Sequence, residues 1–165
     1  HAETLWEALL NAGSAYDIEP IGLGARDTLR LEMGYSLYGN ELDSTTNPLE
    51  VGLGWIVSKT KGDFVGKDAI EQVRKDGISR RLTGFKLLER GVPRTGFQIE
   101  KDNEVVGVVT SGSLSPTLGI GIGMCFVPPE LAKAGNQFHV IIRGKKVPAE
   151  SVRPPFVETR VRKAK

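Results

Sequence analysis

Cysteine and histidine are scarce in this sequence, and each shortage excludes a class of site. The single cysteine, Cys125, can form neither an internal disulfide nor a cysteine-built metal site. The two histidines, His1 and His139, have no cysteine or carboxylate at metal-ligand spacing, so no metal site is predicted. His139 lies between Phe138 and Val140 in a β-type run, which predicts an outward-facing strand residue and not a catalytic base.

The sequence also has little excess charge, few aromatic residues and no long apolar run. The 22 basic and 20 acidic residues nearly cancel, and only 7% of residues are aromatic, so no nucleic-acid partner is expected. Glycines interrupt the apolar run 119–127, which is too short to span a bilayer, and no membrane partner is expected. A chain of 165 residues that is 39% hydrophobic suffices for one domain or two small ones.

The first half of the chain has helical periodicity. Gly13 and Gly34 are natural ends for the first two helices, and Asn47-Pro48-Leu49-Glu50 is a capping sequence that predicts a short third one. Trp55 lies in an apolar run that predicts a strand, so we expect it to belong to the core. The predicted helices are 4–12, 24–33, a short one from 47, and 64–75, and the predicted strand is 55–57.

From about residue 79 short β-type runs alternate with turn signals. One of these signals is Ser111-Gly112, and the alternation of glycine with isoleucine over 119–123 indicates close backbone packing inside a barrel. This alternation predicts a small antiparallel barrel or sandwich from about residue 79. The chain is therefore predicted to divide into two domains, 1–78 and 79–165. The predicted strands are 82–88, 96–100, 105–110, 119–126, 137–142 and 146–152.

The most distinctive motif is GLGARDTLRLE, Gly22–Glu32, followed by YSLYGNELD at 35–43 and PLEVGLGWIV at 48–57. It places several charged residues among glycines and leucines, and such charges either pair internally or meet a polar ligand. A dinucleotide fingerprint is excluded, because Asp27 stands where the third glycine would be and no clear strand precedes the motif.

These motifs, together with KGDFVGKDAI, GFKLLERGVPRTG, GVVTSGSLSPTLGIGIGMCFV and RPPFV, closely resemble the C-terminal half of the glycine cleavage system T-protein. The resemblance covers nearly the whole chain. It implies an α+β fold, in which the C-terminal part of an α/β folate-binding region precedes a small antiparallel Greek-key β-barrel. It further implies a tetrahydrofolate-dependent aminomethyltransferase that receives its substrate on a lipoylated H-protein. Because the family is about twice as long, we expect a fragment that lacks the N-terminal half and is inactive alone.

The resemblance also implies roles for individual residues. Arg26 matches an arginine at the folate site, and Tyr35 is the tyrosine predicted to contact the ligand's rings, while Tyr38 is predicted to pack. From the residues alone, an internal ion pair of Arg26 with Asp27 or Glu32 is favoured; with the resemblance, Asp27 and Glu32 are instead predicted to hold Arg26 in place at the folate site. No catalytic residue is assigned in this chain, because the family's key acids would lie before residue 1.

Several alternatives stay open at this point. The same domains occur fused to sarcosine or dimethylglycine dehydrogenases, and a non-catalytic folate-binding relative also exists. A translation-factor-like nucleic-acid barrel is disfavoured by the composition. The compartment would be the cytoplasm in a bacterium or the mitochondrial matrix in a eukaryote. A cluster of basic residues is either a solvated face or a docking patch for H-protein: Arg74, Lys75, Arg80, Arg81, Lys86, Arg90 and Arg94.

Overall fold

A computed structural model of the chain describes residues 1–159. Three α-helices come first, namely α1 (Ala2–Gly13), α2 (Leu23–Glu32) and α3 (Lys67–Asp76), with a short 3-10 helix after α1. Six strands follow. They are β1 (Arg81–Leu87), β2 (Gln98–Lys101), β3 (Glu104–Leu114), β4 (Gly121–Val127), β5 (Gln137–Ile142) and β6 (Lys145–Val152).

The strands form a closed antiparallel barrel in the order β1-β4-β3-β2-β5-β6. Strands β2, β3 and β4 follow one another as hairpins, and β1 lies beside β4, which is a Greek-key arrangement. The predicted fold class is therefore confirmed, and all six predicted strands occur. Strand β3 runs four residues beyond its predicted end, and the other strand ends shift by at most two residues. The division at residue 78 stays a prediction.

The core of the barrel is apolar and tightly packed. Phe85 and Phe138 meet edge to face with ring centroids 6.0 Å apart. A Cβ on Gly123 would lie 2.5 Å from the Phe85 ring and 2.7 Å from the Ser111 carbonyl oxygen, so this strand position has room only for glycine. Close packing at the β4 glycines was predicted from the alternation, and the structure confirms it for Gly121 and Gly123.

Two predictions are wrong, one in the barrel and one in the segment that precedes it. Ser111-Gly112 is not a turn, because β3 runs on to Leu114 through a bulge at Val109–Ser111. The predicted strand at 55–57 forms turns and bends instead, and Trp55 is 81% exposed. No strand of the described chain pairs with this apolar run, and without a partner the run cannot form part of a sheet.

The predicted short helix at Asn47 is also not realised. The capping contacts do form, because the Asn47 side-chain oxygen accepts from the Leu49 N–H at 3.0 Å and the Glu50 carboxylate accepts from the Asn47 N–H at 3.3 Å. The segment nevertheless stays a turn, because Gly52 at φ +74° ends it at once. None of the helices within residues 1–159 is long and apolar enough to cross a membrane.

Candidate functional site

An open groove of about 700 Å³ lies along the outer face of α2. Its lining is mostly apolar, from Leu23, Leu29 and Met33, and two arginines and a tyrosine add polar groups. The sequence-predicted residues Arg26 and Tyr35 both line this groove, so the fold brings them together. An apolar wall with a few polar groups is the usual composition of a small-molecule site.

Arg26 lies in the first half of α2 and is exposed. Among residues 1–159 its guanidinium makes no hydrogen bond or ion pair. The structure therefore does not show the internal ion pair of Arg26 with Asp27 or Glu32 that the sequence also allowed. A free guanidinium beside an apolar wall can meet a carboxylate or a polar ring edge with its fixed fork of donors.

Tyr35 follows the end of α2 and is held through its backbone. Gly34 takes the left-handed conformation, at φ +69°, and its N–H donates to the Leu31 carbonyl at 2.8 Å. The Tyr35 N–H donates to the Arg30 carbonyl at 2.9 Å, which completes a Schellman ending. The Tyr35 side chain is 53% exposed, whereas Tyr38 is 75% exposed, so the prediction that Tyr38 packs in the core is wrong.

Arg30 is the centre of a hydrogen-bonded cluster behind the groove. Its side chain is only 10% exposed. The guanidinium donates to the Asp27 carboxylate at 2.6 and 2.8 Å, to the Glu41 carboxylate at 3.2 Å and to the Ser111 hydroxyl at 2.9 Å. A fifth, longer bond of 3.4 Å reaches the Tyr35 carbonyl. One arginine thus joins α2, the following loop and strand β3.

Glu41 is the buried anion of this cluster, with 0% of its side chain exposed. It accepts from the Ser111 hydroxyl at 2.6 Å and from the Leu37 N–H at 2.9 Å, in addition to Arg30. The Asn40 amide donates to Ser111 as well, at 3.0 Å. The contact between Glu41 and Ser111 could not be predicted from the sequence, because the two residues are 70 positions apart and the run around Ser111 was predicted to be a turn.

The two carboxylates predicted to hold Arg26 bind elsewhere in this structure. Asp27 pairs with Arg30, and Glu32 accepts from the Ser115 hydroxyl and from the Thr117 N–H and hydroxyl, the last two at 3.0 and 2.9 Å. Burial by itself would raise the pKa of Glu32, but these hydrogen bonds outweigh burial and leave the pKa below its ordinary value. A supporting role toward Arg26 remains a prediction for both.

A second groove, of about 990 Å³, lies at the barrel surface. Arg90, Arg94 and Arg143 line it, over apolar side chains that include Leu87 and Phe97. The predicted basic cluster is only partly available, because some of its members are paired within the described chain. These pairs are Arg74 with Glu71, Arg80 with Glu50, and Lys86 with Glu150.

The remaining candidate residues, Cys125 and His139, do not form a reactive or metal-binding site within the described chain. Cys125 is a free, fully buried thiol whose pKa is raised by burial, so it is not a nucleophile. His139 is exposed between buried Phe138 and Val140, as predicted. Within residues 1–159, no group of three or more histidine, cysteine or carboxylate side chains could hold a metal ion.

Two family descriptions match the chain. "GCVT N-terminal domain" matches residues 1–61, and "Glycine cleavage T-protein C-terminal barrel domain" matches residues 80–158. A solved structure of the glycine cleavage system aminomethyltransferase T from Bartonella henselae has a TM-score of 0.88 and 35% identity. The match covers 98% of this chain and 45% of that one.

Curated relatives give the same result. The chain is 49% identical to an aminomethyltransferase of Bacteroides thetaiotaomicron and 49% identical to one of Halothermothrix orenii, over 94% of its length in each case. An aminomethyltransferase of Caldanaerobacter subterraneus subsp. tengcongensis is 47% identical over 99% of the chain. The chain spans about 44% of the length of these relatives. The sequence matches, the shared barrel and the aligned α2 region together show that the chain belongs to the glycine cleavage T-protein family.

Proposed function

We propose that this chain is part of an aminomethyltransferase that uses tetrahydrofolate. The observation that carries the proposal is the α2 groove, in which an unpaired, exposed Arg26 and an exposed Tyr35 face the same apolar wall. A folate offers flat rings for such a wall and a tyrosine ring, and carboxylates and polar ring edges for a guanidinium. Family membership and the named relatives support the same activity.

In the proposed reaction, H-protein delivers an aminomethyl group on its lipoyl sulfur. Tetrahydrofolate attacks the methylene, the carbon–sulfur and carbon–nitrogen bonds break, and the products are 5,10-methylenetetrahydrofolate, ammonia and the reduced lipoyl thiol. Arg26 and Tyr35 would fix the folate so that its nitrogens meet the methylene carbon, which is catalysis by positioning. We assign no proton-transferring residue to this chain.

The activity is proposed for the full-length protein. The matched relatives are more than twice as long as the aligned segment, so a complete active site would use residues beyond those described. Within the chain we propose that 1–78 contributes to the folate-binding region and that 79–165 forms the barrel domain. Tetrahydrofolate serves as substrate, and no metal is invoked.

Binding of tetrahydrofolate to the full-length protein, measured by calorimetry, tests this function. Arg26→Ala should weaken binding by about tenfold or more, because a charge-assisted hydrogen bond contributes about 1.5–3 kcal/mol. Arg81→Ala is the matched control, since Arg81 is an exposed arginine outside the groove. Equal affinities for the wild type and the Arg26→Ala variant would contradict the assignment. Binding of an oligonucleotide but not of tetrahydrofolate would reject the proposed function as a whole.

H-protein is the proposed protein partner. Arg90 and Arg94 are exposed, make no ion pair within residues 1–159 and line the barrel groove, so they can face an acidic surface. Arg80 is a poorer candidate than the sequence suggested, because it binds Glu50 and stacks over the Phe126 ring at 4.3 Å. Docking at the groove stays a proposal.

Charge reversal at the barrel groove tests this partner in the full-length enzyme. Arg90→Glu with Arg94→Glu should raise the KM for H-protein severalfold and leave kcat nearly unchanged, because rim charges act mainly on encounter. Lys133→Glu, at another exposed site, is the control for overall charge. An unchanged KM would remove the groove as the docking site.

A further inference from the structure

The hydrogen-bonded cluster behind α2 has no direct contact with the proposed ligand groove except through Arg30. Its members are Arg30, Glu41 and Ser111, which we call the Arg30 cluster. Glu41 and Ser111 are almost fully buried, so water cannot replace a lost partner. Buried charged groups are costly unless they are fully paired, and here every one is paired.

We infer that the Arg30 cluster positions the folate-binding residues, and that Ser111 and Glu41 are positioning residues for Arg26 and Tyr35. This inference rests on the function proposed above. Arg26 lies one helical turn before Arg30 on α2, so the two share a rigid segment. The backbone of Tyr35 is tied to Arg30 at both ends, through the N–H at 2.9 Å and the carbonyl at 3.4 Å.

The location of Ser111 in β3 explains how its side chain can fix the position of α2. It lies at a bulge in β3, where the strand register against β4 shifts. A bulge re-aims a side chain away from the regular alternation. The Ser111 hydroxyl therefore leaves the barrel wall and meets three groups at once, namely Arg30 at 2.9 Å, Asn40 at 3.0 Å and Glu41 at 2.6 Å. The barrel in this way fixes where α2 lies.

A structural role alone would lower stability, whereas a positioning role also couples Ser111 to Arg26 in ligand binding. A double-mutant cycle separates the two. The proteins are the full-length wild type, Ser111→Ala, Arg26→Ala and the double variant, and the measurement is the Kd for tetrahydrofolate. Ser113→Ala is the matched control, because Ser113 lies on the same strand and its side chain makes no hydrogen bond within residues 1–159.

Ser111→Ala should weaken binding by about tenfold in the wild-type background and clearly less in the Arg26→Ala background, since coupled residues act as a unit. Ser113→Ala should leave Kd unchanged. An equal effect of Ser111→Ala in both backgrounds, or no effect in the wild type, would overturn the inference while leaving the proposed function intact. Failure of the wild type to bind tetrahydrofolate would overturn both.

Glu41→Gln is the second variant, for use if Ser111→Ala does not fold. Glutamine keeps the shape of Glu41 and an acceptor for the Leu37 N–H, but it removes the negative charge opposite Arg30. It should weaken tetrahydrofolate binding in the same direction and show the same dependence on Arg26. Binding losses that simply add to those of Arg26→Ala would again overturn the inference.

Discussion

Two buried glutamates, Glu32 at the end of α2 and Glu41 in the loop that follows, bind different kinds of partner. Glu41 balances the charge of Arg30, whereas Glu32 has only neutral donors, from Ser115 and Thr117. A buried carboxylate without a cation depends entirely on such donors to stay ionised. Glu32 therefore links the folding stability of the chain to pH.

We predict that Glu32→Gln destabilises the protein by about 1–3 kcal/mol near neutral pH, because buried donors lose a charged acceptor. The pKa of Glu32 in the folded state lies below its ordinary value of 4.5. The carboxylate's stabilisation is therefore complete above about pH 4.5 and is lost as the pH falls through the folded-state pKa. Urea unfolding at several pH values should show the difference between wild type and variant shrinking in acid.

Exposed Glu89 provides the control for this experiment. Glu89→Gln should change the free energy of unfolding by less than about 0.5 kcal/mol at any pH, as surface substitutions do. A difference between wild type and the Glu32→Gln variant that stays constant from pH 7 to pH 3 would contradict the role given to the Glu32 carboxylate.

At the scale of the element, the end of α2 decides where Tyr35 stands. Gly34 has a positive φ, and a Cβ there would lie 2.2 Å from the Cβ of Pro154. The helix end is therefore fixed both by backbone conformation and by the chain that follows the barrel. The Phe156 N–H adds a hydrogen bond of 2.8 Å to the Glu32 carbonyl.

We predict that Gly34→Ala destabilises the chain by about 2–4 kcal/mol, from left-handed backbone strain together with overpacking against Pro154. Urea unfolding measures the loss, and tetrahydrofolate binding should weaken in parallel because Tyr35 moves. Gly62→Ala is the matched control, since its φ is not positive and a Cβ there would meet no atom within 4 Å. Similar stabilities for the two variants would show that the Schellman ending does not depend on glycine.

At the scale of the whole molecule, the described chain has two unlike surfaces. The barrel buries most of its apolar side chains, whereas the helical region leaves many of them exposed. On α1 alone Leu5, Trp6 and Leu9 are at least half exposed, and α1 has no buried residue. The amphipathic pattern that predicted this helix was right about the helix, but the apolar face is not covered by any residue within 1–159.

We predict that the 165-residue chain self-associates through this helical region, because large contiguous apolar patches favour association. Sedimentation velocity over a range of concentrations should show a rising average mass, and Leu5→Glu with Leu9→Glu should reduce it. Val105→Glu is the control, as it removes an exposed apolar side chain from the barrel. A monomer at high concentration would contradict the prediction.

The barrel and the predicted ligand residues were accessible from sequence for different reasons. Strands could be predicted because their alternation and turns are local, as in Phe138–His139–Val140. Arg26 and Tyr35 could be singled out only through the resemblance of GLGARD and its neighbours to a family. Trp55 failed because an apolar run is compatible with a core or with a surface, and only tertiary contacts distinguish them.

The sequence by itself determined the six strands, the helix that carries Arg26 and the family to which the chain belongs, because each depends on neighbouring residues or on contiguous motifs. The tertiary structure alone decided that Ser111 reaches Arg30 and Glu41, and that Glu32 binds Ser115 and Thr117. These hydrogen bonds join residues that are 70 to 85 positions apart in the sequence. Barrel closure and a bulge in β3 create them, and no local pattern encodes either.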